Sequence, residues 1–273
     1  MSRIDCHSLE LHLAHACNLV CDNCSHFSNY RVGGLVPYAD IEAWYQLWAP
    51  RIRPELFSLL GGEPLLHPKL LPIIRLTRDY WPDSELQLVS NGWLLDRHPD
   101  LPQVLADCNV RFEVSIHHDG PTYTAKSEEL TRTLEEWATK YDIRVRVRPS
   151  HTTWRRLFRR GGRDILPYDD GEPETSWKNC ASRWCMQLHE GRIWKCPPVA
   201  YIKQLDAKFG IDKRAWQSAL TYVPLEASAT DDEVAEFMKR ETEGTLCGLC
   251  PANPELIRIH SPLPGTSEES PVS

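Results

Sequence analysis

Leu9, Leu11 and Leu13 alternate with Glu10, His12 and Ala14, the two-residue period of a strand. Ile41, Trp44, Tyr45 and Trp48 share one helical face, with Pro37 placed to open that helix and Pro50 to end it. A second strand is expected over 56–60, running into Gly61-Gly62-Glu63-Pro64. The helix expected from near Pro68 carries Leu70, Leu71, Ile73, Ile74 and Leu76; Arg75 interrupts its apolar run and Pro72 must lie in its first turn. A third strand over 85–89 ends in Ser90-Asn91-Gly92, and a fourth over 112–116 ends in His117-His118-Asp119-Gly120. Ser127 is the expected N-cap of the next helix, whose stripe is Leu130, Leu134, Trp137, Ala138 and Tyr141. A fifth strand alternates Ile143, Val145 and Val147 with Arg144, Arg146 and Arg148.

Strands alternating with helices imply a parallel sheet with right-handed crossovers, either open or curled into a barrel. Chemistry in such folds collects at the C-terminal strand ends. Unusual residues stand at four successive ends: a cysteine-rich loop after the first strand, then the Gly-Gly-Glu-Pro, the Ser-Asn-Gly and the histidine pair. Beyond Pro149 the pattern changes. Arg155, Arg156, Arg159, Arg160 and Arg163 read as a solvated basic loop, a phosphate-holding segment being the alternative. A Pro, Gly and Asp-rich link over 167–173 marks the expected boundary. A hairpin is expected over 186–195 about Glu190-Gly191. A last helix is signalled by the capping box of Thr230 and Glu233, with Gly244 as its stop. The expected organisation is a core over 1–166, a smaller unit over 167–260 and a disordered tail over 261–273.

Hydrophobic residues at 41% and charged residues at 25% of the 273 positions are ordinary for a soluble globular chain. A net charge of -7 argues against general nucleic-acid binding. No run of roughly 18 apolar residues occurs, and Met1-Ser2-Arg3-Ile4-Asp5 opens no apolar signal region. A cytoplasmic protein without membrane contact is expected. There the ten cysteines report metal more readily than disulfides.

Cys17, Cys21 and Cys24 are spaced C-x3-C-x2-C. Three thiolates can hold three corners of a cubane iron–sulfur cluster and leave one iron open; the alternative is a zinc loop closed by His15 or His26. Cys180, Cys185, Cys196, Cys247 and Cys250 form a second set, suited to a fully ligated cluster or to a four-cysteine zinc site. Cys6 and Cys108 read as structural thiols, with hydrogen-atom donation the functional alternative for Cys108.

The trio, with Gly61-Gly62-Glu63-Pro64 and Ser90-Asn91-Gly92 in order after it, resembles the signature of the radical S-adenosylmethionine (SAM) superfamily. The resemblance implies an α/β fold, a partial (β/α)6 TIM-type barrel with a small C-terminal auxiliary-cluster domain. It implies a 4Fe-4S cluster on Cys17, Cys21 and Cys24 whose open iron binds SAM. The SAM amino group would be held by the turn of Gly61, Gly62, Glu63 and Pro64, with Ser90 and Asn91 beside it. Ser115 or His117 would contact the ribose, and Arg146 or Arg148 would pair with the carboxylate. Many members place an aromatic residue before the third cysteine. Here Asn23 stands there, and Phe27 is the expected substitute against the adenine. Cys180, Gly191 and Cys196, with Cys247-Gly248-Leu249-Cys250, resemble the twitch domain, a shortened relative of SPASM. This implies an auxiliary 4Fe-4S cluster on Cys180, Cys196, Cys247 and Cys250, with Cys185 the alternative to Cys180. The implied activity is cleavage of SAM to a 5′-deoxyadenosyl radical and dehydrogenation of a small biosynthetic molecule, such as a sugar or aminocyclitol. A flavodoxin- or ferredoxin-type reductant is the implied partner; the oligomeric state is not legible. A peptide-modifying enzyme or an epimerase are alternatives within this class, and a non-catalytic zinc-binding protein is the alternative outside it.

Overall fold

The computed structural model describes residues 3–257; the tail expected over 261–273 lies outside the described residues. The first half alternates β1 (Ile4–His12), α1 (Tyr38–Trp48), β2 (Ile52–Leu60), α2 (Leu70–Tyr80), β3 (Glu85–Ser90), α3 (Leu101–Asp107), β4 (Val110–Ser115), α4 (Pro121–Tyr141) and β5 (Val145–Arg148). The second half holds α5 (Pro173–Asn179), β6 (Gln187–His189), β7 (Arg192–Trp194), α6 (Pro197–Phe209), α7 (Gln217–Leu220), α8 (Asp231–Lys239) and α9 (Gly244–Gly248). The strands form one sheet in the order β5-β4-β3-β2-β1-β6-β7. All neighbours pair parallel except β6 and β7. The architecture is the α/β partial barrel expected of the alternation. The later hairpin extends the sheet past β1, with Glu10 opposite Gln187.

Alternation along the strands builds two different faces. Leu9, Leu11, Phe57, Leu59, Leu86, Leu88, Phe112 and Val114 are fully buried in the main apolar core. That core includes Ile41, Tyr45 and Trp48 of α1, and Tyr45, Phe57 and Trp81 interlock with ring centroids 4.6–5.7 Å apart. The alternate positions Glu10, Ser58, Gln87, Glu113 and Ser115 are also buried. The two-residue period therefore separates an apolar core from a polar interior, and both are withdrawn from water.

Several boundaries differ from the sequence expectation. The fourth helix begins at Pro121 with Gly120 as N-cap; Ser127 lies inside it, its hydroxyl donating to the Tyr123 carbonyl, so it caps nothing. Gly244 stops no helix: α8 ends at Lys239, and Gly244 opens α9. The capping box of Thr230 and Glu233 forms as expected. Glu190 and Gly191 both take left-handed φ, 53° and 72°, the requirement of a tight hairpin turn. Trp48 Nε1 donates to the Gly191 carbonyl at 2.8 Å, holding that turn on α1.

The arginines after Pro149 pin neighbouring chain. Arg159 Nε donates to the Pro167 carbonyl and Arg163 Nε to that of Phe209, while Arg156 faces Asp22 at 3.5 Å. A second core of Phe27, Phe158, Trp194, Tyr201, Ile202 and Trp216 lies under the C-terminal helices.

Candidate active site

After β1 the chain forms a bridge between Ala14 and Leu35 and enters the cysteine loop. The Gly61-Gly62 turn docks against this entry. Gly62 N–H donates to the Ala14 carbonyl at 2.7 Å, and Glu63 N–H to that of Ala16 at 3.0 Å. A Cβ on Gly62 would lie 2.1 Å from the Ala16 oxygen, so no other residue fits. The resemblance gave these glycines to SAM; the room a side chain would need at Gly62 is filled by the cysteine loop. Both glycines still border the cavity below.

Glu63 is fully buried. Its carboxylate accepts from Leu65 N–H at 2.9 Å, Ser90 Oγ at 2.7 Å and Asn91 N–H at 2.9 Å. It ties two strand-end turns together from behind. Burial raises it to about 7 against those three donors. Asn91 Nδ2 donates to Asn18 Oδ1 at 2.8 Å and reaches Cys17 Sγ at 3.8 Å. Leu19 N–H donates to Cys17 Sγ at 3.3 Å. Pro64 is buried in the short turn over 64–66 and borders no cavity described.

Cys17, Cys21 and Cys24 open on one cavity of about 290 Å³, shared with Gly61, Gly62, Ser90, Asn91, Ser115 and His117. Burial pushes the Cys17 thiol up to about 12 and raises Cys24. Thiols raised in this way ionise only beside positive charge, which iron supplies. The donor set and the open space beside it fit a cluster with one free corner. His15 and His26, offered as zinc ligands, pack in a ring cluster with His12; His15 borders neither cysteine cavity, while His26 borders the trio's. His15 Nδ1 lies 2.8 Å from His12 Nδ1, and His26 stacks on His12 at 4.8 Å. Burial holds His15 near 4 and His26 near 3, both neutral at pH 7.

Two expected residues are elsewhere. Phe27 is fully buried in the second core, 5.2 Å from the Phe158 ring, because the loop turns left-handed at Phe27, φ 55°. It borders no cavity described, and Trp154 stands in the cavity wall, its Nε1 donating to the Asp22 carbonyl at 2.8 Å. Arg146 is 59% exposed and pairs with Glu113 at 3.4 Å. Of the two fifth-strand arginines it is Arg148 that faces the cavity, which Arg155 also borders; Arg148 pairs with Glu113 at 3.2 Å and donates to Ser115 Oγ at 3.1 Å.

Cys180, Cys196, Cys247 and Cys250 border a second, small cavity of about 50 Å³, while Cys185 borders the first. Burial raises all four thiols. Four sulfurs on one small, largely apolar space fit a fully ligated cluster. The cavity-facing Glu10, Gln87, Glu113, Ser150 and Cys185 were not expected there. The signal for most of them was available: polar residues recur at every second position of successive parallel strands. Cys6 and Cys108 are buried away from both cavities. Among the described residues no helix is long and apolar enough to cross a membrane.

The model of the radical SAM superfamily matches residues 11–149. A curated relative, GTP 3′,8-cyclase of Microcystis aeruginosa, is 42% identical over 55 residues. That match spans 20% of this chain and 16% of the cyclase. Among solved structures, BtrN in complex with AdoMet and 2-DOIA aligns over 92% of this chain and 94% of its own, at 15% identity and a TM-score of 0.52, a likeness of fold. Native anSMEcpe with bound AdoMet and Cp18Cys peptide aligns over 51% of this chain and 42% of its own, at 18% identity and a TM-score of 0.41. With the family match running from the first strand through the fifth, and the three cysteines inside it, the chain belongs to the radical SAM superfamily, whose members use a 4Fe-4S cluster and SAM.

Proposed function

We propose that this chain is a radical SAM oxidoreductase that dehydrogenates a small hydroxyl-bearing molecule, such as a sugar or aminocyclitol, with an auxiliary 4Fe-4S cluster as electron acceptor. The observation that carries the reading is the separation of the cysteines: three on a roomy cavity with polar side chains in its wall, four on a small apolar one. When bound, the first cluster and SAM supply a 5′-deoxyadenosyl radical that removes a hydrogen atom from an unactivated carbon, and the second cluster supplies a one-electron acceptor. Loss of that hydrogen atom, of one further electron and of the hydroxyl proton balances a two-electron oxidation to a carbonyl. The chain's part is position and exclusion of water. Asn91 and the Gly61-Gly62 turn would border the SAM methionine group, and Arg148 would meet its carboxylate. Trp154 and Leu19, packed about the trio, would wall the adenine in place of Phe27. Residues 167–260 would act as a twitch-like unit built onto the barrel through β6. A flavodoxin- or ferredoxin-type protein would deliver the reducing electron.

The test is anaerobic reaction of reconstituted protein with SAM, reductant and candidate polyols, following 5′-deoxyadenosine and substrate mass together. Loss of two hydrogens at one equivalent of 5′-deoxyadenosine is the expected result. Unchanged mass with solvent deuterium uptake would mean epimerisation and overturn the oxidation.

A further inference from the structure

Two buried carboxylates face the large cavity, and the chain treats them differently. Glu113 on β4 is matched by Arg146 and Arg148 at 3.4 and 3.2 Å. Glu10 on β1 is 8% exposed and hydrogen-bonds only to neutral partners, the Arg148 charge reaching it from beyond ion-pair distance. Gln187 Nε2 donates to its Oε2, and the Cys185 thiol donates to the same carboxylate. Gln187 is held in that orientation: its Oε1 accepts from Tyr201 Oη at 2.8 Å, and its Nε2 also reaches the Cys185 carbonyl at 3.0 Å. Among the described residues no Lys, Arg or His lies within ion-pair distance of Glu10. A carboxylate withdrawn from water without a cation is costly to keep ionised, and here it is aimed into the cavity that the cysteine trio borders. A second feature points the same way. Ser150, 3% exposed, faces this cavity, and its hydroxyl has no hydrogen-bond partner among the described residues. Both groups ask for something the ligand brings: a cation for Glu10 and a hydroxyl for Ser150.

We propose that Glu10 receives an ammonium group of the substrate, with Ser150 on one of its hydroxyls, so that the molecule dehydrogenated is an amino-bearing polyol rather than a neutral sugar. This rests on the dehydrogenase reading above. An ammonium ion donates to the carboxylate oxygens and supplies the missing charge in one contact. Gln187, fixed by Tyr201, keeps the carboxylate aimed at the cavity.

The test compares an aminocyclitol with the cyclitol carrying a hydroxyl in place of its amine. Binding is measured calorimetrically to the anaerobic, SAM-bound holoprotein, and turnover by 5′-deoxyadenosine and product mass. Wild type is expected to favour the amine by about tenfold or more. Glu10→Gln, which keeps shape and removes charge, is expected to lose that preference, and Ser150→Ala to weaken both compounds alike. Wild type binding both compounds equally or neither overturns the proposal. So does a Glu10→Gln variant that keeps the preference, or one that loses SAM binding, which would place Glu10 against SAM instead. If the amine preference behaves as expected while product mass never falls by two hydrogens, the substrate class stands and the dehydrogenase reading fails.

Discussion

The two cysteine sets differ less in the sulfur they offer than in what surrounds it. Cys17, Cys21 and Cys24 border about 290 Å³ walled by carboxylates, two arginines, amides and hydroxyls. Cys180, Cys196, Cys247 and Cys250 border about 50 Å³ walled largely by Leu157, Phe158, Val199, Trp216 and Leu246. A site that binds and releases ligands needs room and polar handles; one that only passes electrons needs rigidity and a dry wall. The sheet joins them, since β6 of the later segment pairs with β1, whose end leads into the cysteine trio.

The sharpest way to break this comparison is to remove one ligand from each set. Cys21→Ala is expected to abolish 5′-deoxyadenosine formation, while Cys180→Ala keeps SAM cleavage and loses substrate oxidation. In both variants iron falls from about eight to about four atoms per chain. Full oxidation by Cys180→Ala would remove the electron-acceptor role, and equal loss of SAM cleavage in both would remove the division of labour.

A smaller effect sharpens what builds the open site. Glu63 holds two turns through three buried donors. Glu63→Gln replaces an acceptor oxygen with an NH2 group facing donors, at a cost of about 1–3 kcal/mol. The melting temperature is expected to fall and the KM for SAM to rise, with the second cluster's iron retained. The pH sign follows from a carboxyl raised by burial to about 7 from an ordinary 4.5. Its folded form favours the proton, so its stabilising contribution is complete below about 4.5 and is lost as pH rises through about 7. The wild type's advantage over the variant should therefore narrow between pH 5 and 8, read from paired thermal midpoints.

The open site was far more legible in the sequence than its walls. Its ligands stand at strand ends, where the break from alternation to Gly, Asn and Cys marks both the turn and the chemistry. The walls come from residues that alternation assigns to a polar face. Glu10 and Glu113 stand at the positions between core residues, and it is the enclosing of that face that buries them. Phe27 and Arg146 failed for a different reason, because proximity in sequence to the cysteines or to the fifth strand end does not fix which way a side chain turns. In the second region α6 was not expected from the sequence; Pro197-Pro198 occupy its first turn. Seven-residue α3 is short, with Pro102 in its first turn, and it forms because Leu101, Val104 and Leu105 are buried against the main core.

The smallest expected effect concerns the residue that touches both regions. Asn23 lies between two cysteines of the trio, and its Oδ1 accepts from Leu157 N–H at 2.8 Å and Phe158 N–H at 2.7 Å. Leu157 borders both cavities and Phe158 the second. Asn23 also holds a left-handed φ of 54°, which glycine adopts freely and alanine does not. Asn23→Gly therefore removes those two hydrogen bonds and the one its Nδ2 donates to Asp22 Oδ1 at 2.9 Å, at about 1–2 kcal/mol for the buried pair, and Asn23→Ala adds roughly 1 kcal/mol of backbone strain. The difference between the two thermal midpoints isolates the strain, and the glycine variant alone reports the link. If Asn23 couples the regions, Asn23→Gly speeds chelator-driven iron loss from both clusters. Faster loss from the trio alone would leave the 157–158 segment as part of the second cavity's wall and nothing more.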